Sequence, residues 1–564
     1  MKSSDLIIEL LIKNGVDKAW YVQGGAISHV IDSAYLREVE KGDFKSTYVQ
    51  HEQAAGFAAD AYSRCGDKVG AVMVTSGPGA TNVITSIASS WYDSVPVIYL
   101  TGQVRSWELS KGSQRQRGFQ ETDIVSMTKD ITKYSVTVLD ARFLKYEVEK
   151  AISLALSGRP GPVVIDLPME MQWADLNESS LLDYLPSEVP YLSINDRKID
   201  KIHAVSKLLS DALRPVILVG GGVRSKEDVK SIKAFAEQRD IAVVTSFSGK
   251  HLFDDSWTNN FGFIGTMGKN TANEILHKSD VALVIGSRLS WRQIRSDPDN
   301  FSKLSKVIHV DIDSSELNEN IESFITLNLD ACTLFDYLSN APALDSCRQD
   351  YIAECQTLSS TYSYLPAQPE AGDHRDPHQV IQAISQAAGP SSLFCLDTGQ
   401  NMIWAIQGLE SRGNRKFISS WGHSPMGYSI CAALGAAEVE GGREVVCIIG
   451  DGGIQMNIQE LQTIYLNQYD IKILIVNNNA LGAIKEFQDG NLAARHVGTG
   501  SNLNYESPNF ASIGAAYGIP SAVVESTGDL GEALAKLFSV KGPGVLDIKV
   551  SETAKMTLSL EKFN

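Results

Sequence analysis

Asp451 and Asn478 close the two turns of one β-α-β pattern, and their side chains are the first in this 564-residue chain whose types and spacing suit a reaction. The segment 445–488 reads VVCIIGDGGIQMNIQELQTIYLNQYDIKILIVNNNALGAIKEFQ. An apolar run, 445–449, breaks at Gly450-Asp451-Gly452-Gly453, and a helical pattern follows with Ile458, Leu461, Ile464 and Tyr465 on one face. A second apolar run, 471–476, ends in Asn477-Asn478-Asn479. In a parallel sheet the carboxyl ends of neighbouring strands share one edge, so Asp451 and an Asn near 478 converge there. A carboxylate and an amide oxygen suit Mg²⁺, a hard cation that keeps positions for water and phosphate oxygens. Backbone N–H groups of Gly452 and Gly453 can face an anion at the start of the helix. The segment therefore reads as an anchor for Mg²⁺ and a diphosphate, although a Gly-Asp-Gly turn alone is also an ordinary connection.

Other polar residues recur at comparable places. Glu52 follows a strand pattern and opens an alanine-rich helix, HEQAAGFAADAY; a carboxylate there can serve the helix dipole or a ligand. Ser76-Gly77-Pro78-Gly79-Ala80-Thr81-Asn82 and Gln23-Gly24-Gly25 are turns after strands, as are Gly399-Gln400-Asn401 and Gly220-Gly221-Gly222. These turns need elements to carry them. Strand and helix patterns alternate through most of the chain, which predicts α/β architecture with three doubly wound, mainly parallel sheets. The expected domains are 1–175, 195–340 and 375–552, joined by polar, proline-bearing linkers at roughly 175–198 and 340–376, with the first and third alike in organisation.

Composition excludes several classes. Apolar residues make up 43% and charged residues 21%, an ordinary globular balance. A net charge of −17 argues against a nucleic-acid partner, which needs a basic face. No run reaches the roughly 18 apolar residues of a membrane span, and the N-terminus reads as an amphipathic helix instead of a signal peptide. Seven scattered cysteines without a CxxC pair suit reduced thiols, hence a cytoplasmic location and no structural zinc.

The GDG…NN pattern resembles the metal motif of thiamine-diphosphate (ThDP) enzymes. Together with HEQAA, SGPGATN, GFQETD and SGRPGPV, almost the whole chain resembles the acetohydroxyacid (acetolactate) synthase and pyruvate oxidase family. The resemblance implies a pyrimidine-binding domain, a middle domain of FAD-binding type and a diphosphate-binding domain. It also implies cofactor sites shared between two subunits, so a homodimer is the minimum unit and a tetramer is expected. Metal ligands would be Asp451, Asn478 and the carbonyl of Ala480. Glu52 would hydrogen-bond the aminopyrimidine of ThDP from a largely desolvated position. Gly25, Pro78, Asn82, Gly399, Gln400, Asn401, Gly452 and Gly453 would line the cofactor, with Met426 propping its bent shape or else serving as a core methionine. Phe119 and Gln120 would sit beside the reactive carbon, where Gln120 can donate to a developing alkoxide. Lys133 would stand near the site mouth. In the middle domain, Gly220, Gly221, Gly222 and Arg288 would meet the FAD pyrophosphate, and Asp311 or Asp313 its ribose, although relatives keep this domain without FAD.

The chain departs from the synthase pattern where the acceptor or flavin belongs. Phe487 replaces a Trp that reads the acceptor, and Gly265-Thr266-Met267-Gly268-Lys269 stands for GMHGT; at the diphosphate, Asn401 stands where the synthase has His. Arg292 keeps a substrate-facing Arg within Gly286-Ser287-Arg288-Leu289-Ser290-Trp291-Arg292, but an acidic pair is gone. The expected activity is ThDP- and Mg²⁺-dependent carboligation, in which pyruvate loses CO₂ and its two-carbon unit passes to a second carbonyl. The acceptor is a 2-ketoacid, giving acetolactate, or a ketone such as a ketosugar. A flavin-dependent pyruvate oxidase, a simple decarboxylase and a non-catalytic paralogue are the alternatives.

Overall fold

In a computed structural model, residues 1–66, 68–110, 112, 114–186, 194–294, 305–340, 348–361, 376–439, 441–500 and 505–556 are described. Their strands form three six-stranded sheets. The first contains β1 (Lys18–Tyr21), β2 (Lys45–Tyr48), β3 (Gly70–Val74), β4 (Val97–Gln103), β5 (Tyr134–Thr137) and β6 (Val163–Pro168), in the order β2-β1-β3-β4-β6-β5. The middle sheet contains β7 (Pro215–Val219), β8 (Ala242–Thr245), β9 (Asn260–Phe263), β10 (Val281–Ile285), β11 (Lys306–Asp311) and β12 (Ile325–Asn328), in the order β12-β11-β10-β7-β8-β9. The third contains β13 (Leu393–Leu396), β14 (Lys416–Ile418), β15 (Val445–Gly450), β16 (Ile471–Asn477), β17 (Ser521–Val524) and β18 (Gly544–Lys549), in the order β14-β13-β15-β16-β18-β17. The pairings are parallel. The three α/β sheets match the expected fold class. The first and third share one strand order, counted within each sheet, as their similar patterning predicts.

The chain divides into two compact units: Met1–Glu188, Ser392–Met402 and Ile418–Thr553, which carry the first sheet and nearly all of the third, and Val189–Ser391, Ile403–Phe417 and Ala554–Asn564, which carry the middle sheet. Within the first unit one apolar core runs through both sheets, from Trp20, Phe57 and Tyr99 to Tyr428, Ile449 and Ile473. Its centre is the contact of the Glu52–Cys65 helix with the Tyr428–Ala437 helix. Both helices are built of small residues, and a Cβ placed on Gly435 would overlap the Ala58 carbonyl oxygen. Polar groups lock the same contact. The fully buried Asp60 carboxylate accepts from Arg64 Nε at 2.6 Å, Ser90 Oγ at 2.9 Å and Tyr428 OH at 2.7 Å.

Two sequence expectations change. The amphipathic helix after Asp451 is two short helices, Asp451–Ile454 and Glu460–Asn467, with Gln455–Gln459 turning between them. The linker at 340–376 contains a helix, Gln349–Thr361, because Tyr351 and Cys355, one turn apart, insert into the middle core. The remainder of that linker, 341–347 and 362–375, lies outside the described residues.

Gly435→Ala tests the helix contact. Alanine gains about 1 kcal/mol of helix propensity, but overpacking of a close-packed core costs about 1–3 kcal/mol. The expected outcome is a lower melting temperature by circular dichroism.

Candidate functional site

The third sheet brings the Asp451 segment together with two other turns. At its carboxyl edge Leu396 pairs with Ile448, and Gly450 with Val476, so the loops after β13, β15 and β16 lie side by side. Asn478 Nδ2 donates to Gln400 Oε1 at 3.0 Å, and Gln400 Nε2 donates to Glu486 at 2.9 Å. Asn401 Nδ2 holds the Asp397 carbonyl at 3.2 Å. Asp397 is buried and accepts from the N–H groups of Gly427 and Ser429 at 3.0 and 2.9 Å, which ties the loop before Tyr428 to the sheet. Met426 Cε lies 3.0 Å from where a Cβ on Gly452 would stand. Gly399 has φ +109°, a left-handed conformation that disfavours any side chain. Of the predicted residues, Gln400, Asn401, Met426, Asn478 and the Gly452 turn thus form one cluster.

Asp451 is the electrostatic centre of that cluster. Burial pushes its carboxyl up to about 6, against a hydrogen bond from Tyr505 OH at 3.0 Å and backbone bonds including that from Ala480. Among the described residues no Lys, Arg or His pairs with it. A buried, unpaired carboxylate beside a buried amide fits a divalent cation, whose charge removes the cost of ionising it. Among the described residues no three His, Cys, Asp or Glu side chains cluster to hold a metal. Any ion here would therefore rest on a mixed carboxylate, amide and carbonyl set.

The first sheet gathers the second group. Glu52 opens its helix half-buried, less desolvated in one chain than expected, and accepts from Asn82 Nδ2 at 2.9 Å. Its Oε1 lies 3.5 Å from the Cβ position of Gly79, beside Pro78. Gly25 is exposed in the neighbouring turn. Gln120 has φ +64°, uncommon for a non-glycine, and packs against Gly77, while Phe119 is 87% exposed. Lys133 is not brought to this group. It precedes β5 at the amino edge of the sheet, where its N–H donates to Pro162 O and its Nζ to Ser157 O; burial lowers the amine to about 8. The physical reason is strand direction: β5 and β6 run parallel to β3, so Lys133 and Gly77 lie at opposite ends.

In the second unit, Gly220, Gly221 and Gly222 end β7 and Gly286-Ser287-Arg288 ends β10, its neighbour across the point where the strand order reverses. The expectation for the glycines is corrected in one respect. Gly220 N–H donates to Ile285 O at 2.8 Å and Gly222 N–H to Gly286 O at 2.9 Å, so both are committed to the adjacent turn. A Cβ on Gly220 would overlap Gly286 O, and turn packing alone accounts for that glycine. Arg288 and Arg292 are exposed, and the Asp311 carboxylate accepts the Asp313 N–H at 2.9 Å. Phe487 is 56% exposed on the Gly482–Asn491 helix of the first unit.

Several positioning groups escaped the sequence reading. Glu460, buried and with its carboxyl pushed up to about 7, accepts the Gln50 N–H at 3.1 Å and so holds the strand end before Glu52. Glu121 accepts the N–H groups of Ser110, Arg117 and Gly118, closing the loop that ends in Phe119 and Gln120. Asp166 accepts from Thr101, Gln103 and Thr137, and Gln103 in turn holds Thr122 O at 2.7 Å. The available signal was an Asp inside an otherwise apolar strand, VVIDLP, where Asp is disfavoured.

Residues 1–127, 202–336 and 397–548 match the N-terminal TPP binding, central and C-terminal TPP binding domains of thiamine pyrophosphate enzymes. The chain belongs to the thiamine-diphosphate enzyme family. It is 33% identical to an acetolactate synthase large subunit of Cyanidium caldarium over 97% of this chain and 92% of that protein. It is 32% identical to the large subunit of Corynebacterium glutamicum over 99% and 88%, and 31% identical to that of Lactococcus lactis over 98% and 92%.

The buried acids give this family member a testable pH dependence. Burial raises the Asp166 carboxyl to about 7, from about 3.9 in an unfolded chain. Between those values the native state holds a proton that the unfolded state has released, so stability falls as pH rises from about 4 through about 7. Asp166→Asn is expected to reduce the loss of melting temperature between pH 5 and pH 8, measured by scanning calorimetry.

Proposed function

We propose that this protein is a ThDP-dependent carboligase that decarboxylates pyruvate and passes the two-carbon unit to a second carbonyl, with acetolactate the product when that carbonyl is pyruvate. The observation that carries the reading is the cluster of Asp451, Asn478, Gln400, Asn401 and Met426 in a chain similar along its length to acetolactate synthase large subunits. Asp451, Asn478 and the Ala480 carbonyl would hold Mg²⁺, and the Gly399–Asn401 and Gly452–Gly453 turns would face the diphosphate. Bound ThDP supplies the electron sink for decarboxylation. The chain's residues position and exchange protons: Glu52, fixed by Asn82, would hold the aminopyrimidine, and Gln120 would donate to the oxygen that gains charge.

Domain boundaries are placed at 1–175, 195–340 and 375–552. A homodimer or tetramer would complete sites shared between subunits, in a cytoplasmic setting. Among the described residues no helix is long and apolar enough to cross a membrane. FAD would lie at the strand-order reversal of the middle sheet, near Gly221, Arg288 and Asp311. Purified protein that holds it will absorb near 450 nm; a colourless protein at full activity overturns the FAD assignment.

Incubation with pyruvate, ThDP, Mg²⁺ and a panel of ketones, read by mass spectrometry, is expected to yield acetolactate or an acetylated ketone. Acetate with reduced flavin, or acetaldehyde alone, would select the oxidase or decarboxylase. Glu52→Gln is expected to lower product formation at least about 100-fold while ThDP still binds by calorimetry. Wild-type turnover in that variant overturns the assignment.

A further inference from the structure

At the carboxyl edge of the first sheet, directly after β4, Arg105 stands between two indoles. Its Cζ lies 5.6 Å from the Trp107 ring centroid and 5.8 Å from that of Trp173, within cation–π range. Cation–π contact uses none of the five guanidinium N–H donors. Among the described residues none of those donors finds a hydrogen-bond or ion-pair partner, and Nε is buried without one. A second orphan sits beside it. Glu170 accepts the Ser106 N–H through Oε1 at 2.8 Å, while its Oε2 is buried and unpartnered. Both indoles remain open, Trp107 at 57% and Trp173 at 38% exposure. A held cation, an orphan acceptor and two exposed aromatic faces form a recognition surface with no internal ligand.

This surface adjoins the turn next to Glu52. Gln172, beside Trp173, donates to Ala26 O at 2.6 Å, and the Trp173 ring lies 5.1 Å from the His29 ring. A Cβ on Gly24 would stand 2.5 Å from Thr75, and one on Gly79 would stand 2.8 Å from Thr75 and 3.5 Å from Glu52 Oε1. Contacts through Gly79, Thr75, the Gly24–Ala26 turn and the Gln172-Trp173 pair thus link Glu52 to Arg105.

We propose that Arg105, Trp107, Trp173 and Glu170 form a subsite for an acceptor that carries an oxyanion with a neighbouring hydroxyl. This rests on the carboligase reading and names the substrate class of that same site. The oxyanion, a carboxylate or a phosphate ester, takes the Arg105 fork, which matches either geometry. The hydroxyl donates to Glu170 Oε2, and the carbon skeleton lies on the indoles. Glu170 disfavours a bare anion, because a carboxylate facing an oxyanion without a donor between them repels it. Pyruvate and acetate lack that donor.

Tryptophan fluorescence of the ThDP- and Mg²⁺-loaded enzyme, titrated with glycerate, glycerol phosphate, acetate and inorganic phosphate at constant ionic strength, tests this without requiring turnover. Glycerate, glycerol phosphate or both should give a saturable change, the responding probe showing whether the oxyanion is a carboxylate or a phosphate ester. Arg105→Gln should raise the dissociation constant at least tenfold, and Glu170→Gln should remove the preference for glycerate over acetate. Circular dichroism identifies a variant that fails to fold, in which case Trp107→Phe, which keeps the fold's buried groups, should weaken the same probes. Unsaturable changes shared by all four salts, or equal affinity in wild type and variants, overturn the subsite. The product assay with pyruvate is read separately, so loss of this subsite and loss of the carboligase reading are distinguishable.

Discussion

A carbonyl oxygen of Ala58 facing Gly435 sets the distance between the first and third sheets. Nothing larger than hydrogen fits there, and both helices are rich in alanine, with Phe57 and Tyr428 meeting edge to face at one end of the contact. Small side chains let the helices approach until backbone meets backbone, and dispersion attraction then acts over the whole contact. The approach has a functional consequence. The Glu52–Cys65 helix begins at Glu52, and the loop before the Tyr428–Ala437 helix contains Met426. Two residues of the candidate site are thus fixed by one packing distance.

Apolar packing alone would let such helices slide, and buried polar groups remove that freedom. Asp60, Tyr428 and Arg64 give one register, because breaking any one of these bonds leaves a buried charge or donor unsatisfied. Glu460 and Asn457 give a second, reaching from the third sheet to Gln50 and Gln53 on either side of Glu52. Residues that touch no reacting group therefore determine where Glu52 can be. A carboxylate near a cofactor ring is useful only when placed to within a fraction of an ångström, and rigid helices with satisfied buried bonds supply that precision.

The sequence made the central strands and their turns readable because both follow strong local rules. β3, β4, β7, β10 and β16 are buried at every position; β3, β7 and β10 read as unbroken apolar runs, and β4 and β16 as apolar runs carrying only Thr101, Gln103, Lys472 and Asn477 as polar members. The edge strands were harder. β5, β12 and β17 are half-buried, four residues long and of mixed polarity, so neither periodicity nor length separates them from loops. Among site residues, Asp451, Asn478, Gln400 and Asn401 were legible because each follows a strand on a shared edge. Glu460, Glu121 and Asp166 act through backbone N–H groups or side chains that meet them only after folding, and such partnerships leave no spacing to read. Lys133 shows the converse: a residue in a suggestive segment is carried to the other end of the sheet by the direction of its strand.

Exposure separates two kinds of residue around the candidate site. Asp451, Asn478, Gln400 and Asn401 are nearly inaccessible and tied into the third sheet, so changing any of them disturbs the fold and the site together. Phe119, Phe487 and Trp107 are more than half exposed, and the fold loses little if they change. The departure from the synthase pattern at Phe487 falls in this second class, and that at Asn401 in the first. A framework that buries one set of turn residues and exposes another can change the second set without altering how it folds.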